Sequence, residues 1–321
     1  MAQMTWGTHS GFLTNAELNM QFQMSAQPLL RFRQFVGLKD AFGKSKGETV
    51  NWLKVADLGT IGGRLTETNT FHQSSQALSW GTLTVDEYGN SIPFTFKIEA
   101  LSRFDLEEII REGLQNDMVK VTDGLVERKF NSCQLRYVGT STAGYALTTN
   151  GTATATNTSV LNTYHVRKMV TELRKRKVKG YMKAAGDYVM INSVEAMENI
   201  VAALEPIHQY VEAGFKPIAD GEAGRYYMTR FVEDQFATRY VYDPDARSAT
   251  AITWSGAQSL VGYLFGQGTV REAVAVPEEI RVKIPTDYGR SKGIAWYSLL
   301  GHQIEWGDEP NARIIKWDSA A

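Results

Sequence analysis

The sequence DLEEIIREGLQNDMVKVTDGLVERKF, residues 105–130, is the longest helical pattern in the chain. Asp105 is a predicted N-cap residue, and Glu108 three positions later completes a capping-box pattern. Apolar residues then recur at steps of three and four, which places them on one helix face. These residues are Leu106, Ile109, Ile110, Leu114, Met118, Val121 and Leu125.

Upstream of this helix, residues 48–100 are predicted to form a long two-stranded ribbon. The first strand is ETVNWLKVADL, residues 48–58, and the second is SIPFTFKIEA, residues 91–100, in which every second residue from Ile92 to Ile98 is apolar. The stretch between them is polar and contains the turn-like segments IGG and YGN. A two-stranded ribbon is barely stable alone in water, so we expect it to lean on a partner surface.

Residues 1–47 are predicted to be an arm rather than a domain. They are rich in Gln, Met and Ser, and their apolar residues are scattered over a polar background. Such a segment cannot build a hydrophobic core alone. We therefore expect it to lie on the rest of the chain or on a neighbour.

Downstream of the long helix, helical patterns come first and strand patterns later. Residues 139–163 are small and polar and predict a loop, a basic helix follows at 164–178, and DYVMIN at 187–192 is a predicted strand. Another helix is predicted to begin with Ser193 as its N-cap and to stop near Pro206. The remaining patterns are those of strands: YYMTRFVED, TRYVYD, EEIRVKI, GIAWYSLLG and ARIIKW. This order predicts an α+β fold.

Length and composition set limits on the class of protein. A chain of 321 residues exceeds the size at which one core usually stops growing, so two lobes are expected. A net charge of −1 gives no global attraction to nucleic acid or to anionic lipid. The only cysteine, Cys133, excludes a disulfide within the chain and a thiolate zinc site. No secretory pattern and no run of about 18 apolar residues occurs in the sequence, so we expect no membrane partner. We expect the protein to be made and used in a reducing cytoplasm, or to leave the cell by a route other than secretion.

Residue patterns of familiar catalytic and metal sites are missing from the sequence. No phosphate-binding loop and no nucleophile elbow occurs. We therefore predict no enzymatic activity, no cofactor and no metal. The histidines are not at ligand spacing from one another or from the cysteine: His9, His72, His165, His208 and His302.

Positive charge is concentrated in the sequence HVRKMVTELRKRKVKG, residues 165–180. Clustered lysines and arginines can contact phosphates or an acidic partner. The alternative is an ordinary solvated helix face opposite an apolar stripe. The candidate contact residues are Arg167, Lys168, Arg174, Lys175, Arg176 and Lys177, and the stripe is Val166, Met169, Val170 and Leu173.

An arm and a ribbon that both need partners, with no catalytic constellation, suggest a self-assembling subunit. Their order, followed by one long helix and a mixed α+β region, resembles the tailed-phage major capsid protein of the Hong Kong 97 fold. Specific segments are also similar to the major capsid family of coliphage N-four and its podovirus relatives. These segments are VEAGFKPIAD at 211–220, GEAGRYYMTRFVED at 221–234, YGRSKGIAWYSLLG at 288–301 and NARIIKW at 311–317.

The resemblance extends from about residue 48 to the end and implies a division into capsid domains. The ribbon would be the E-loop, which overlaps the adjacent subunit, and the long helix would be the spine helix. The implied segments are the N-terminal arm 1–47, the E-loop 48–100, the peripheral domain 101–185 with its spine helix at 105–130, the axial domain 186–280, and a return to the peripheral domain at 281–321.

The resemblance also implies roles for individual residues. Near the ribbon turn, Arg64 and Glu67 would form ion pairs between subunits, and Gly62 and Gly63 would lie in the same contact. A Gly-Glu-x-Gly segment can hold a catalytic carboxylate, but here it would be structural. Gly221, Glu222 and Gly224 would make a turn into an axial-domain strand, with Tyr227 and Phe231 packing that domain.

The implied function is that of a major capsid protein, a structural protein of the virion. Copies would form the hexamers and pentamers of an icosahedral shell that encloses double-stranded phage DNA, assembled in the host cytoplasm. Implied partners are a separate scaffolding protein, the portal and the packaged DNA, with a cement or decoration protein as a further candidate. Two alternatives stay open: a non-specific nucleic-acid-binding protein that uses the basic helix 164–179, and an α+β enzyme.

Overall fold

The structure, a computed structural model, contains four α-helices, a short 3-10 helix at Arg33–Phe35 and fifteen strands within the residues it describes. The described residues are 31–36, 38–41, 47–58, 62–67, 71, 73–181, 186–209, 222–234, 240–243, 248–251 and 261–320. The helices are α1 Phe96–Leu101, α2 Leu106–Asn131, α3 Thr163–Lys175 and α4 Val194–Gln209. The strands are β1 Leu38–Ala41, β2 Thr49–Val55, β3 Leu78–Thr84, β4 Asp86–Thr95, β5 Leu135–Ser141, β6 Gly144–Thr148, β7 Tyr188–Ser193, β8 Glu222–Tyr226, β9 Thr229–Asp234, β10 Tyr240–Asp243, β11 Ser248–Ala251, β12 Gly262–Phe265, β13 Val270–Val282, β14 Ser291–Ile304 and β15 Ile314–Trp317.

A four-stranded sheet lies under the first half of the long helix α2. Its strand order is β1-β13-β14-β4, with β1 parallel to β13 and the other pairs antiparallel. The predicted apolar stripe of α2 packs on this sheet except for Ile109, which is only partly buried. The shared core contains Leu106, Ile110, Leu114, Val121, Leu125, Phe94, Ile98, Ile294, Trp296 and Leu300.

A seven-stranded sheet forms the larger part of the body, in the order β6-β5-β15-β12-β7-β9-β8. Helices α3 and α4 pack on one face, where Met190 and Leu264 point. The end of α2 packs on the other face, where Val189 and Tyr263 point. Successive residues of β7 and β12 are therefore buried on opposite sides, as expected for strands covered on both faces.

The second half of α2 lies between the two sheets. All its residues from Val121 to Glu127 are buried, including two acids. The start of the same helix is more exposed and is capped from its own sequence. Asp105 Oδ1 accepts hydrogen bonds from the backbone N–H groups of Glu107 at 3.0 Å and Glu108 at 3.2 Å. The predicted helix and its cap are confirmed.

The predicted helix at Ser193 is confirmed at its start but not at its end. Ser193 Oγ accepts a hydrogen bond from the N–H of Ala196 at 3.1 Å, which caps α4. The predicted stop near Pro206 is wrong, because α4 continues to Gln209. A proline within a helix removes one backbone hydrogen bond, and the helix can continue past it at that cost.

The predicted second strand of the ribbon is partly wrong. Residues 91–95 belong to β4, which pairs with β14, whereas Phe96–Leu101 is helical. Phe94 and Ile98 are buried, but Phe96 is half-exposed, so the apolar alternation ends before it. A spacing of four residues between two buried side chains suits a helical turn as well as a strand.

The ribbon is instead formed by β2 and β3, in register from Thr49 opposite Thr84 to Val55 opposite Leu78. Strand β3 lies in the stretch that the sequence predicts to be a polar connection between the two strands of the ribbon. The predicted loop at 139–163 is also interrupted by a strand, because β6 at Gly144–Thr148 pairs with β5.

The two large sheets combine strands from segments that the sequence assigned separately. Strand β15 lies between β5 and β12, so the seven-stranded sheet draws on residues from 101–185, 186–280 and 281–321. Strands β13 and β14 form the centre of the other sheet and also come from two of these segments.

Candidate assembly surfaces

The β2–β3 hairpin carries exposed apolar side chains on one face. Leu53 lies directly opposite Trp80, and Val55 lies directly opposite Leu78. Directly opposite residues of an antiparallel pair lie on the same face. These four side chains, called here the hairpin stripe, have between 47% and 71% of their surface exposed. A contiguous apolar patch of this kind is typical of a contact surface.

The opposite face of the hairpin is fixed to the body. Trp52 is buried and its ring lies against Gly81, where a Cβ atom would be only 2.2 Å from the ring. The guanidinium of Arg271 lies 4.9 Å from the centre of the same ring, a cation–π distance. At the far end of β2, Lys177 Nζ is 2.8 Å from an oxygen of Asp57. The face of the hairpin that carries Trp52 is therefore held against the body, while the hairpin stripe faces outward.

The predicted contact residues near the ribbon turn lie in the connection between β2 and β3. Arg64 and Glu67 are exposed, as are Gly62 and Gly63. A Cβ atom on either glycine would meet no atom within 4 Å, so packing within the chain does not require glycine at these positions. A role for the four residues between subunits stays a prediction. The sequence interpretation missed Leu78 and Trp80, although alternating apolar residues in LSWGTLT were the available signal.

The basic helix α3 presents fewer unpaired charges than its sequence suggests. Lys175 Nζ is 2.7 Å from Glu172, Arg176 pairs with Glu309, and Lys177 pairs with Asp57. These hydrogen bonds raise the pKa of Lys175 and of Lys177. Of the other candidates, Lys168 lies 5.3 Å from the ring centre of Tyr164, and Arg167 and Arg174 are exposed. The predicted stripe of Val166, Met169, Val170 and Leu173 is fully buried.

The predicted turn at Gly221, Glu222 and Gly224 is wrong in its position. Glu222 and Gly224 lie within strand β8, and Gly221 lies outside the described residues. The hairpin between β8 and β9 turns at Tyr227 and Met228, whose φ angles are 44° and 60°. Such two-residue turns usually contain Asn or Gly, so this sequence carried no turn signal.

The other residues of that segment have structural partners. Phe231 is fully buried, as predicted, whereas Tyr227 is half-exposed at the turn and not packed in the core. Arg225 and Arg230 both contact the buried carboxylate of Asp187, at 2.8 Å and 3.2 Å.

A short segment at the end of the predicted arm is packed into the body. This segment, residues 31–36, is called here the arm anchor. Phe32 is fully buried with its ring 5.4 Å from Phe130 and 5.6 Å from Tyr263. Phe35 packs against Phe265 at 5.5 Å. The anchor therefore belongs to the core between α2 and the seven-stranded sheet.

The side chain of Arg33 in the arm anchor bridges to strand β13. It contacts Glu272 at 2.7 Å and Glu278 at 2.5 Å. Burial opposes the ionisation of Glu272, but contacts with His302 and Arg33 outweigh it and lower its pKa to about 2. Burial also lowers the pKa of His302. This network is structural, because it joins the arm anchor to the four-stranded sheet.

Metal-ligand groups and membrane-spanning helices are not found in the described part of the chain. It contains no group of three or more His, Cys, Asp or Glu side chains that could hold a metal ion. None of its helices is both long and apolar enough to cross a membrane.

The fold is shared with phage capsid proteins of known structure. The chain is similar to the head protein of Helicobacter pylori bacteriophage KHP40, with a TM-score of 0.66 and 13% identity over 95% of this chain and 96% of that one. It is similar to the cyanophage Pam1 capsid chain, with a TM-score of 0.65 and 12% identity over 100% of both chains. It is also similar to the capsid of Ralstonia phage GP4, with a TM-score of 0.64 and 12% identity over 95% of this chain and 96% of that one.

These similarities define the class of fold. The chain has the α+β fold of the Hong Kong 97 type, as its sequence predicted. No protein-family model and no curated protein matches the sequence.

Proposed function

We propose that the chain is a major capsid protein, the subunit of an icosahedral phage head. The observation that carries the proposal is structural likeness to capsid chains along almost the whole length of both partners. The hairpin stripe adds independent support, because it leaves apolar surface available to another molecule. On this proposal the protein has a structural role and no enzymatic activity.

Assembly would proceed through many modest contacts, with the hairpin stripe of one copy covering apolar surface on the next. Burying a large apolar side chain fully is worth about 1.5–3 kcal/mol, so four partly exposed ones would contribute a few kcal/mol for each contact. A candidate receiving surface is the outer end of the β13–β14 hairpin, where Ile280, Val282 and Ile284 are exposed. Arg64 and Glu67 would set register more than affinity, because exposed ion pairs contribute about 0–1 kcal/mol.

The capsid domains would follow the sheets. Residues 1–47 would be the N-terminal arm and 48–100 the E-loop, with β2 and β3 as its ribbon. Helix α2 as the spine and the four-stranded sheet would form the peripheral domain, to which the arm segment contributes β1 and the E-loop segment contributes β4. The seven-stranded sheet with α3 and α4 would form the axial domain, so that β15 joins the axial domain and not the peripheral one.

The remaining parts of the proposal concern the whole particle. Copies would form hexamers and pentamers around double-stranded DNA, with a separate scaffolding protein, a portal and a candidate cement or decoration protein as partners. Assembly would take place in the host cytoplasm. Exposed Arg167 and Arg174 on α3 are the residues best suited to non-specific contact with DNA. A relation to the N-four podoviruses is part of the same proposal and rests on the sequence segments alone.

The first test is direct observation of particles. The purified protein would be examined by negative-stain electron microscopy and light scattering, alone and after co-expression with scaffolding candidates from the same genome. Shells, rings or tubes of regular size are expected. A monomer under every one of these conditions would contradict the proposal.

A matched pair of variants tests the hairpin stripe. Trp80→Asp places a charge in the stripe, and Ser79→Asp places the same charge one residue away, at a position of the Trp52 face that is exposed and not covered by the body. We expect Trp80→Asp to remain unassembled and Ser79→Asp to assemble as the unchanged protein does. Normal particles from Trp80→Asp would show that assembly does not depend on the hairpin stripe.

A further inference from the structure

The backbone of the arm anchor is held by buried carboxylates from two separate elements. Asp123 on α2 accepts a hydrogen bond from the N–H of Arg33 at 2.7 Å. Asp234, at the end of β9, accepts one from the N–H of Arg31 at 3.0 Å. Both carboxylates are buried, with 4% and 0% of their surface exposed. Hydrogen bonds from a backbone to buried acids make the attachment sensitive to the charge of those acids.

A third acid lies one helical turn further along α2. Glu127 is almost fully buried, and neither of its carboxylate oxygens has a hydrogen-bond partner among the described residues. The positive charge of Lys316 on β15 lowers the pKa of Glu127, but the ammonium of Lys316 already lies 3.1 Å from a carboxylate oxygen of Asp318. Tyr263 on β12 also faces Glu127 and is uncharged at neutral pH, because burial raises its pKa. Among the described residues, the positive charge that acts on Glu127 is therefore one that already has a carboxylate partner.

Such a cluster binds protons more tightly than exposed carboxylates do. Burial raises the pKa of Asp123 to about 7 and outweighs the backbone N–H donors of the anchor, which lower it; the nearby carboxylate of Asp234 adds to the rise. Burial also raises the pKa of Glu127 well above its ordinary value, with Asp234 and Asp123 contributing. The guanidinium of Arg33 does not neutralise the cluster, because it is directed to Glu272 and Glu278 on β13.

We propose that Asp123, Glu127 and Asp234 form a proton-dependent latch that holds the arm anchor on the body. A protonated Asp123 keeps a carbonyl oxygen that accepts the N–H of Arg33, and it relieves the repulsion within the cluster. When the anchor detaches, water reaches Asp123 and the proton is bound less tightly. The attached state thus takes up a proton, so attachment weakens as the pH rises from about 4, the ordinary pKa of an aspartate, to about 7 and changes little above that.

The size of the effect follows from the same linkage. For Asp123 alone, the equilibrium constant for attachment is expected to fall about 30-fold between pH 5.5 and pH 8.5. Ionisation of Glu127 acts in the same direction. The latch is a property of a single chain, so it can be tested whether or not the chain forms shells.

Hydrogen exchange of the full chain measures the latch. The protection factors of the amides of Arg31 to Phe35, corrected for the intrinsic pH dependence of exchange, would be compared at pH 5.5 and pH 8.5. We expect about 30-fold lower protection at pH 8.5. Amides of β7, such as those of Val189 and Ile191, serve as the internal reference and should change little. Constant protection of the anchor, or an equal loss in β7, would overturn the proposal.

Two variants assign the effect to the cluster. Asp123→Asn keeps an oxygen acceptor but cannot titrate, so anchor protection should lose most of its pH dependence and keep only the part that Glu127 contributes. Glu112→Gln removes an exposed acid from the same helix and should leave the pH dependence of the unchanged protein. If Asp123→Asn retains the full pH dependence, the latch does not operate through this cluster.

Discussion

The seven-stranded sheet and the β2–β3 hairpin are built from similar residues but use them in opposite ways. In the sheet, residues such as Val189, Met190 and Ile191 are buried on both faces. In the hairpin, only the face with Trp52 is covered by the body, and the face with Leu53 and Trp80 is exposed. Apolar strand residues therefore stabilise the fold in one region and remain available for association in the other.

The largest expected effect is on the core that the sheet shares with α2. Phe130 is fully buried, with its ring 5.0 Å from that of Phe265. Phe130→Ala should lower the free energy of unfolding by about 3–5 kcal/mol, because it removes a large side chain and leaves a cavity. Urea unfolding of the unassembled protein measures this. Val119→Ala, at a half-exposed position of the same helix, should cost less than about 0.5 kcal/mol. Equal losses of unfolding free energy in the two variants would show that the buried side chains of this core do not stabilise the fold more than exposed ones.

The next effect is the pH dependence of the sheet region. His165 is fully buried between Tyr137 and Ser159, and burial lowers its pKa to about 4. Its stabilising contribution is complete above its unfolded pKa of about 6.5 and is lost as the pH falls towards 4, amounting to about 2–3 kcal/mol. His165→Gln should therefore flatten the profile of unfolding free energy between pH 7 and pH 4.5. An unchanged slope in the variant would assign the acid sensitivity to other groups.

A smaller effect on stability is expected where the ring of Trp52 packs against Gly81 in the hairpin. Gly81→Ala would place a methyl group 2.2 Å from the Trp52 ring, so the ring or the strand must shift. Overpacking of this kind costs about 1–3 kcal/mol. Thermal unfolding measures the cost, and hydrogen exchange in β2 locates it. Gly62→Ala is the control, because a Cβ there meets no atom within 4 Å. A Gly81→Ala protein as stable as the control would show that Trp52 is not tightly packed against Gly81.

The smallest effect on stability should come from the hairpin stripe. Trp80→Asp removes one cross-strand pair at an exposed position, which should change the unfolding free energy by less than about 1 kcal/mol. The measurement is denaturant unfolding of the unassembled chain. A loss of several kcal/mol would mean that Trp80 stabilises the single chain, and the contrast between hairpin and sheet would then disappear.

Local patterns predicted those elements whose apolar residues are buried by neighbours in the same chain. Asp105 and the stripe of α2 are such a case, as is Ser193 at the start of α4. The hairpin stripe was missed because Leu78 and Trp80 are exposed and lie among polar residues. Tyr227 and Met228 adopt turn geometry without turn residues. The pair of Arg176 with Glu309 joins residues distant in sequence, and no local pattern carries that information.

The position of β15 in the seven-stranded sheet has a consequence for the order of folding. Ile315 pairs with both Leu135 and Leu264, so β15 fills the gap between β5 and β12. Until residues 314–317 have left the ribosome, β5 and β12 each present an unpaired edge in what becomes the middle of a sheet. Contacts between residues so distant in sequence form slowly. Nascent chains would therefore depend on protection of these edges, and the seven-stranded sheet would close only after β15 has been made.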